Sequence, residues 1–99
     1  YDSILREFSE LFRKDDYNNA LFKLSEAIKL EPSNLIGYEK RIALNMKLKN
    51  YNEVLNDADN ILRLDQSNVN ALITKGLANY SLKNYNSPIK NFENANITF

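Results

Sequence analysis

Cysteine and histidine are both absent from this chain of 99 residues. Without cysteine there is no disulfide, no thiolate nucleophile and no zinc–sulfur site. Without histidine the commonest general base and the commonest metal ligand are missing. No apolar run approaches the roughly 20 residues that a membrane-spanning helix needs, so no membrane insertion is expected. The N-terminus carries no signal-peptide pattern, and a cytoplasmic setting is expected. No excess charge exists either: 13 basic and 13 acidic residues give a formal net charge of zero. Nothing in that balance pulls towards phosphate backbones, and no nucleic-acid partner is expected.

The remaining composition is that of an ordinary water-soluble domain, 43% hydrophobic and 26% charged. The length suits one domain and is short for two. The chain begins at Tyr1 without Met and is expected to be a fragment of a larger protein.

Three copies of one phrase set the register: Asp16-Tyr17-Asn18, Asn50-Tyr51-Asn52 and Asn84-Tyr85-Asn86. The tyrosines are 34 residues apart, twice. Aligned on that period, Ser33-Asn34 recurs as Ser67-Asn68, and Leu30-Glu31-Pro32 as Leu64-Asp65-Gln66. Small or branched apolar residues recur at Ala20/Val54, Ala27/Ile61 and Leu21/Leu55/Ile89. A fixed period of this length is the signature of a repeat array. The repeats are 1–34, 35–68 and 69–99, forming one domain over 1–99.

Inside each repeat the apolar spacing is helical. Ile4, Leu5, Phe8, Leu11 and Phe12 fall three or four apart, and so do Ala20, Leu21, Leu24, Ala27, Ile28 and Leu30. The spacing predicts helices over 2–14, 18–30, 35–48, 52–64, 69–82 and 86–97. Asn18, Asn52 and Asn86 are expected to cap the second helix of each pair, and Ser33-Asn34 and Ser67-Asn68 the first helix of the next. No glycine occupies the turns, so an Asp or Asn is expected to take any left-handed conformation there.

Catalytic chemistry finds little footing. Asp15-Asp16 sits in a turn, and Asp57 and Asp59 are two apart on a helix, so their side chains diverge. No nucleophile–base constellation and no calcium loop is present. No enzyme activity, metal or cofactor is expected. Lys40, Arg41, Lys47 and Lys49 read as a solvated helix face, interrupted by Glu39. Formal charge runs −2, 0 and +2 across the three repeats, a gradient that would aid head-to-tail association.

The period, the turn tyrosines and the small residues together resemble the tetratricopeptide repeat, a 34-residue helix–turn–helix unit. The matching residues are Tyr38, Gly76, Ala78, Tyr17, Tyr51, Tyr85, Ala20, Ala27, Ala95, Phe92 and Pro32. The chain departs from the pattern at Phe8 and Ile42, which stand in the column of Gly76. Asn45 and Asn79 replace a tyrosine, and Gln66 replaces a proline. The resemblance implies an all-α fold: an α-solenoid of three antiparallel helix hairpins in a right-handed superhelix. It implies a non-enzymatic interaction module with a concave groove lined by the first helix of each repeat, in an adaptor, co-chaperone or assembly scaffold.

Carried over by column, the groove comprises Leu5, Ser9, Phe12 and Arg13 of the first repeat. The second repeat adds Ile36, Glu39, Lys40, Ala43, Met46 and Lys47; the third adds Asn70, Ile73, Thr74, Leu77 and Tyr80. The family's clamp for chaperone tails ending in Glu-Glu-Val-Asp needs several converging cationic and amide donors. Its columns hold Leu5, Ser9, Lys40, Asn70 and Thr74 here, so no ordinary carboxylate clamp is expected. The apolar stripe suits a protein or peptide partner with an apolar or amphipathic segment. A purely structural segment of a larger helical-repeat subunit, its groove filled by the same chain, fits the spacing equally. At the C-terminal edge Leu82, Tyr85, Ile89 and Phe92 are expected to meet a further repeat or to support self-association.

Overall fold

Asp15 and Lys49 both carry a positive φ, 60° and 63°, and they stand 34 residues apart. Each closes a helix by the same pair of bonds. The Asp15 amide donates to the Phe12 carbonyl and the Asp16 amide to Leu11; the Lys49 amide donates to Met46 and the Asn50 amide to Asn45. This is the Schellman arrangement, which satisfies carbonyls that a helix end leaves free. A left-handed non-glycine residue costs about 1–2 kcal/mol, so the turn persists only because the helices on either side pack together.

The computed structural model describes residues 1–86, with side chains through Lys83. Five helices follow one another: α1 (Asp2–Arg13), α2 (Tyr17–Leu30), α3 (Leu35–Lys47), α4 (Tyr51–Leu64) and α5 (Val69–Asn86). Each packs against the next. The all-helical repeat array expected from the period is what forms, and the first four helices start and end within one residue of the predicted bounds. None of the described helices is long and apolar enough to cross a membrane.

The small columns explain how the hairpins close. Ala20, Ala27, Val54 and Ala58 are fully buried, which lets the backbones approach. One core cluster joins Phe8, Ala20, Leu24 and Leu44, with Tyr17 and Leu21 packed against it. A second joins Tyr38, Ile61 and Ala71, with Ile28 and Ile42 alongside. Tyr38 also anchors the inter-repeat loop, its hydroxyl donating to the Pro32 carbonyl at 2.9 Å. At Gly37 the α2/α3 contact is so close that a Cβ would stand 2.7 Å from Ile28 Cγ1.

Three local expectations need correction. The helix caps at the turns are Asp16 and Asn50, not Asn18 and Asn52, and neither makes a side-chain cap bond. The tyrosine itself opens the helix, which moves the following asparagine inside. In the second turn the left-handed residue is Lys49 rather than an Asp or Asn, because the Schellman register fixes which position must turn. In the third repeat no turn interrupts at Asn84: α5 continues to Asn86. Nothing in Leu82-Lys83-Asn84-Tyr85 stops a helix by itself. Asn86, expected to cap the next helix, instead ends α5; the remainder of the expected helix 86–97, with Ile89 and Phe92, lies outside the described residues.

The caps expected between repeats do form. Asn34 accepts from the Ile36 amide at 3.0 Å, and Asn68 from the Ala71 amide at 2.8 Å. Each such cap is worth about 1 kcal/mol over alanine.

Candidate interaction groove

The first helices of the repeats, α1, α3 and α5, bound two clefts that meet along α3. The cleft between α1 and α3 has a volume of about 360 Å³ and is lined by Phe8, Ser9, Phe12, Arg13, Lys40, Ala43 and Leu44. The cleft between α3 and α5, about 280 Å³, is lined by Glu39, Ile42, Asn68, Asn70, Ala71 and Thr74, with Ile61 of α4 at its base. Glu39 and Lys40 are consecutive, so successive side chains of one helix feed the two clefts with opposite charge.

Eight of the groove residues expected from the repeat columns line these clefts: Ser9, Phe12, Arg13, Lys40 and Ala43 in one, Glu39, Asn70 and Thr74 in the other. The other seven do not. Leu5, one turn before Phe8, packs against the first core cluster. Met46 is half-buried. Lys47 places its ammonium over the Tyr17 ring at 5.8 Å. Ile36, Ile73, Leu77 and Tyr80 are exposed large apolar residues outside both clefts. Tyr80 is 66% exposed, so this part of α5 is an open surface rather than core.

The basic stretch on α3 is not uniformly solvated. Arg41 turns away from the clefts and grips Asp57 of α4 with two bonds, 2.7 and 2.8 Å, while a third donor reaches Ser25 of α2 at 3.0 Å. Asp57 is 1% exposed and also accepts from Asn60 at 3.2 Å. Hydrogen bonding to Asp57 raises the Arg41 pKa above its already high ordinary value, with burial acting the other way. The guanidinium therefore stays charged and locks α2, α3 and α4 together. Its neighbours Glu39 and Lys40 line the clefts instead. Asp59 diverges from Asp57, as its spacing demands, and pairs with Lys75 of α5 at 2.9 Å.

The pair was not read from the sequence, although a signal was present. Asp57 lies three residues after Val54 and four before Ile61, on the buried stripe of α4. A carboxylate on such a stripe requires a buried partner.

A larger cleft than either of these lies elsewhere. It measures about 450 Å³ and is lined by Ile4 with Phe22, Ser25, Glu26, Lys29 and Leu30 of α2. Phe22 and Leu30 are each about 60% exposed. Leu30 belonged to the apolar spacing of α2, but at the last residue of the helix it projects past the neighbouring elements.

No protein-family model matches the sequence, and no curated protein matches it. Among solved structures the chain is similar to the TPR2B domain of yeast Sti1, solved as a complex with pHsp70. The identity is 30% and the TM-score 0.70, covering 93% of this chain and 74% of that one. That likeness combines a shared fold with shared sequence over nearly the whole chain. With the 34-residue period and the repeated Schellman turns, it establishes that the chain belongs to the tetratricopeptide-repeat family and carries the protein-interaction fold of that family.

Proposed function

We propose that this chain binds a peptide segment of a partner protein along the α1/α3/α5 face, within an adaptor, co-chaperone or assembly scaffold, as one domain spanning residues 1–99. The supporting observation is the pair of adjoining clefts on α3, flanked by exposed apolar side chains at Phe12, Ile73, Leu77 and Tyr80. An apolar floor with a few polar groups of both signs suits an extended or amphipathic segment. A groove filled by the same chain is the competing arrangement.

Ala43 is exposed inside the α1/α3 cleft, so Ala43→Arg would obstruct the cleft without disturbing the core. Peptides selected from a displayed library of random dodecamers on the unmodified chain are expected to lose at least about tenfold in affinity on this variant, equivalent to about 1.4 kcal/mol. Equal binding to both would place the ligand elsewhere and overturn the groove reading.

Within this reading the ordinary carboxylate clamp is absent. Its cationic and amide columns hold Leu5, Ser9, Asn70 and Thr74 beside the single ammonium of Lys40. A peptide ending in Glu-Glu-Val-Asp is therefore expected to bind equally as the free acid and as the C-terminal amide. A preference of tenfold or more for the free acid, about 1.4 kcal/mol, in fluorescence anisotropy would restore the clamp.

A further inference from the structure

Three aromatic rings form a row along the α1/α3 side of the molecule. The Phe8 and Phe12 centroids are 5.8 Å apart, and so are those of Phe12 and Tyr17. An ammonium group caps each end of the row. Lys40 Nζ lies 5.9 Å from the Phe8 centroid, and Lys47 Nζ lies 5.8 Å from that of Tyr17. The middle ring, Phe12, is 38% exposed and offers an apolar platform between two positive charges.

Those charges are not neutralised by the chain itself. Lys23 bridges Glu7 and Glu26, and Lys75 reaches Asp59. By contrast, neither Lys40 nor Lys47 has a carboxylate at salt-bridge distance among the described residues. The acids nearby are committed or point elsewhere. Glu10 is taken by Arg13 at 2.7 Å, Asp15 accepts from the Tyr17 hydroxyl at 2.8 Å, and Glu39 faces the α3/α5 cleft. A solvent-accessible cation–π contact is weak, so an arriving carboxylate would draw either ammonium off its ring.

Lys40 and Lys47 are seven residues apart on α3, which puts them on one helix face with a rise of roughly 10 Å between them. An extended peptide covers that distance in about three residues. We infer that the α1/α3 cleft, together with the Lys47 ammonium just outside its lining, selects a segment in which a leucine or aromatic side chain is flanked on both sides by acidic residues. The anchor sits on Phe12, one carboxylate meets Lys40, and the other meets Lys47. The recognised acids are side chains within the segment, not its terminal carboxylate. The inference rests on the groove reading above and adds to it the chemistry of the ligand.

The test uses the same displayed library of dodecamers, fused so that their C-termini are blocked, followed by titration of synthetic amidated winners. On the unmodified chain the winners are expected to carry Asp or Glu on both sides of a bulky apolar residue. Each of Lys40→Gln and Lys47→Gln, which keep most of the aliphatic stem, should weaken binding about tenfold, the size of a lost charge-assisted contact. Replacing Glu by Gln in the peptide should do the same, and raising the salt should weaken binding of the acidic form alone. Far-UV circular dichroism of both variants should match the parent.

Winners without acidic flanks would overturn the inference, as would affinities unchanged in the double lysine variant. If Ala43→Arg still abolishes that binding, the groove reading stands and only the ligand chemistry is wrong. Binding that survives Ala43→Arg overturns both.

Discussion

Arg41→Ala is expected to lower the unfolding free energy by about 3–5 kcal/mol, the cost of leaving a buried carboxylate without its charged partner. Asp57 is almost wholly buried, and its remaining bond is the Asn60 amide at 3.2 Å. Domains of this size carry only about 5–15 kcal/mol in total, so the variant would sit near the edge of stability. Urea unfolding followed by circular dichroism gives the number directly. A loss below about 1 kcal/mol, the range of solvated surface pairs, would mean that Asp57 reaches water in solution.

A second variant separates charge from packing. Replacing both partners, as Arg41→Met with Asp57→Leu, removes the desolvation cost along with the attraction. Such replacements are commonly neutral or stabilising by about 1–4 kcal/mol, so the double variant should recover most of what Arg41→Ala loses. Arg41→Lys should not rescue fully, because a single ammonium cannot reproduce the two-pronged grip. The Arg41 pKa is raised in the folded state. On the alkaline side its contribution is therefore fully present below its unfolded value and is lost as pH rises into strong alkali.

Leu24→Ala is the second large effect, about 2–5 kcal/mol, combining lost transfer energy with the cavity left behind. Leu24 is fully buried between Phe8, Ala20 and Leu44, at the junction of α1, α2 and α3. Phe22 is two residues away on the same helix, larger, and 60% exposed. Phe22→Ala should change stability by less than about 0.5 kcal/mol, as surface substitutions usually do. Comparable losses in the two variants would mean that the outer side of α2 is covered in solution.

The contrast between those two residues shows what a periodic sequence conveys. Spacing by three and four puts Ala20, Leu24 and Ala27 on one stripe and leaves Phe22 off it, whatever its size. The same periodicity, doubled by the 34-residue repeat, located four helices and the inter-repeat caps at Asn34 and Asn68. It failed where the outcome depends on distance in space. Arg41 and Asp57 are 16 residues apart on different helices, and their pairing follows from the angle at which α3 meets α4. Leu5 and Phe12 share the apolar spacing of α1, yet one packs against the core and the other borders a cleft, a difference that spacing along one helix does not carry.

The repeat phrase itself marks the boundary between the two kinds of information. The sequence alone determined that equivalent helices follow the two phrases, to within one residue of where Tyr17 and Tyr51 open them, since a local pattern of apolar spacing and polar turn residues suffices for that. Whether the residue before the phrase turns left-handed was decided by tertiary structure. Asp15 and Lys49 adopt the costly conformation where packed hairpins repay it. The groove follows the same division. The period named the helices that line it, and only the packing of those helices shows that Arg41 pairs with Asp57 while Glu39 and Lys40 line the clefts.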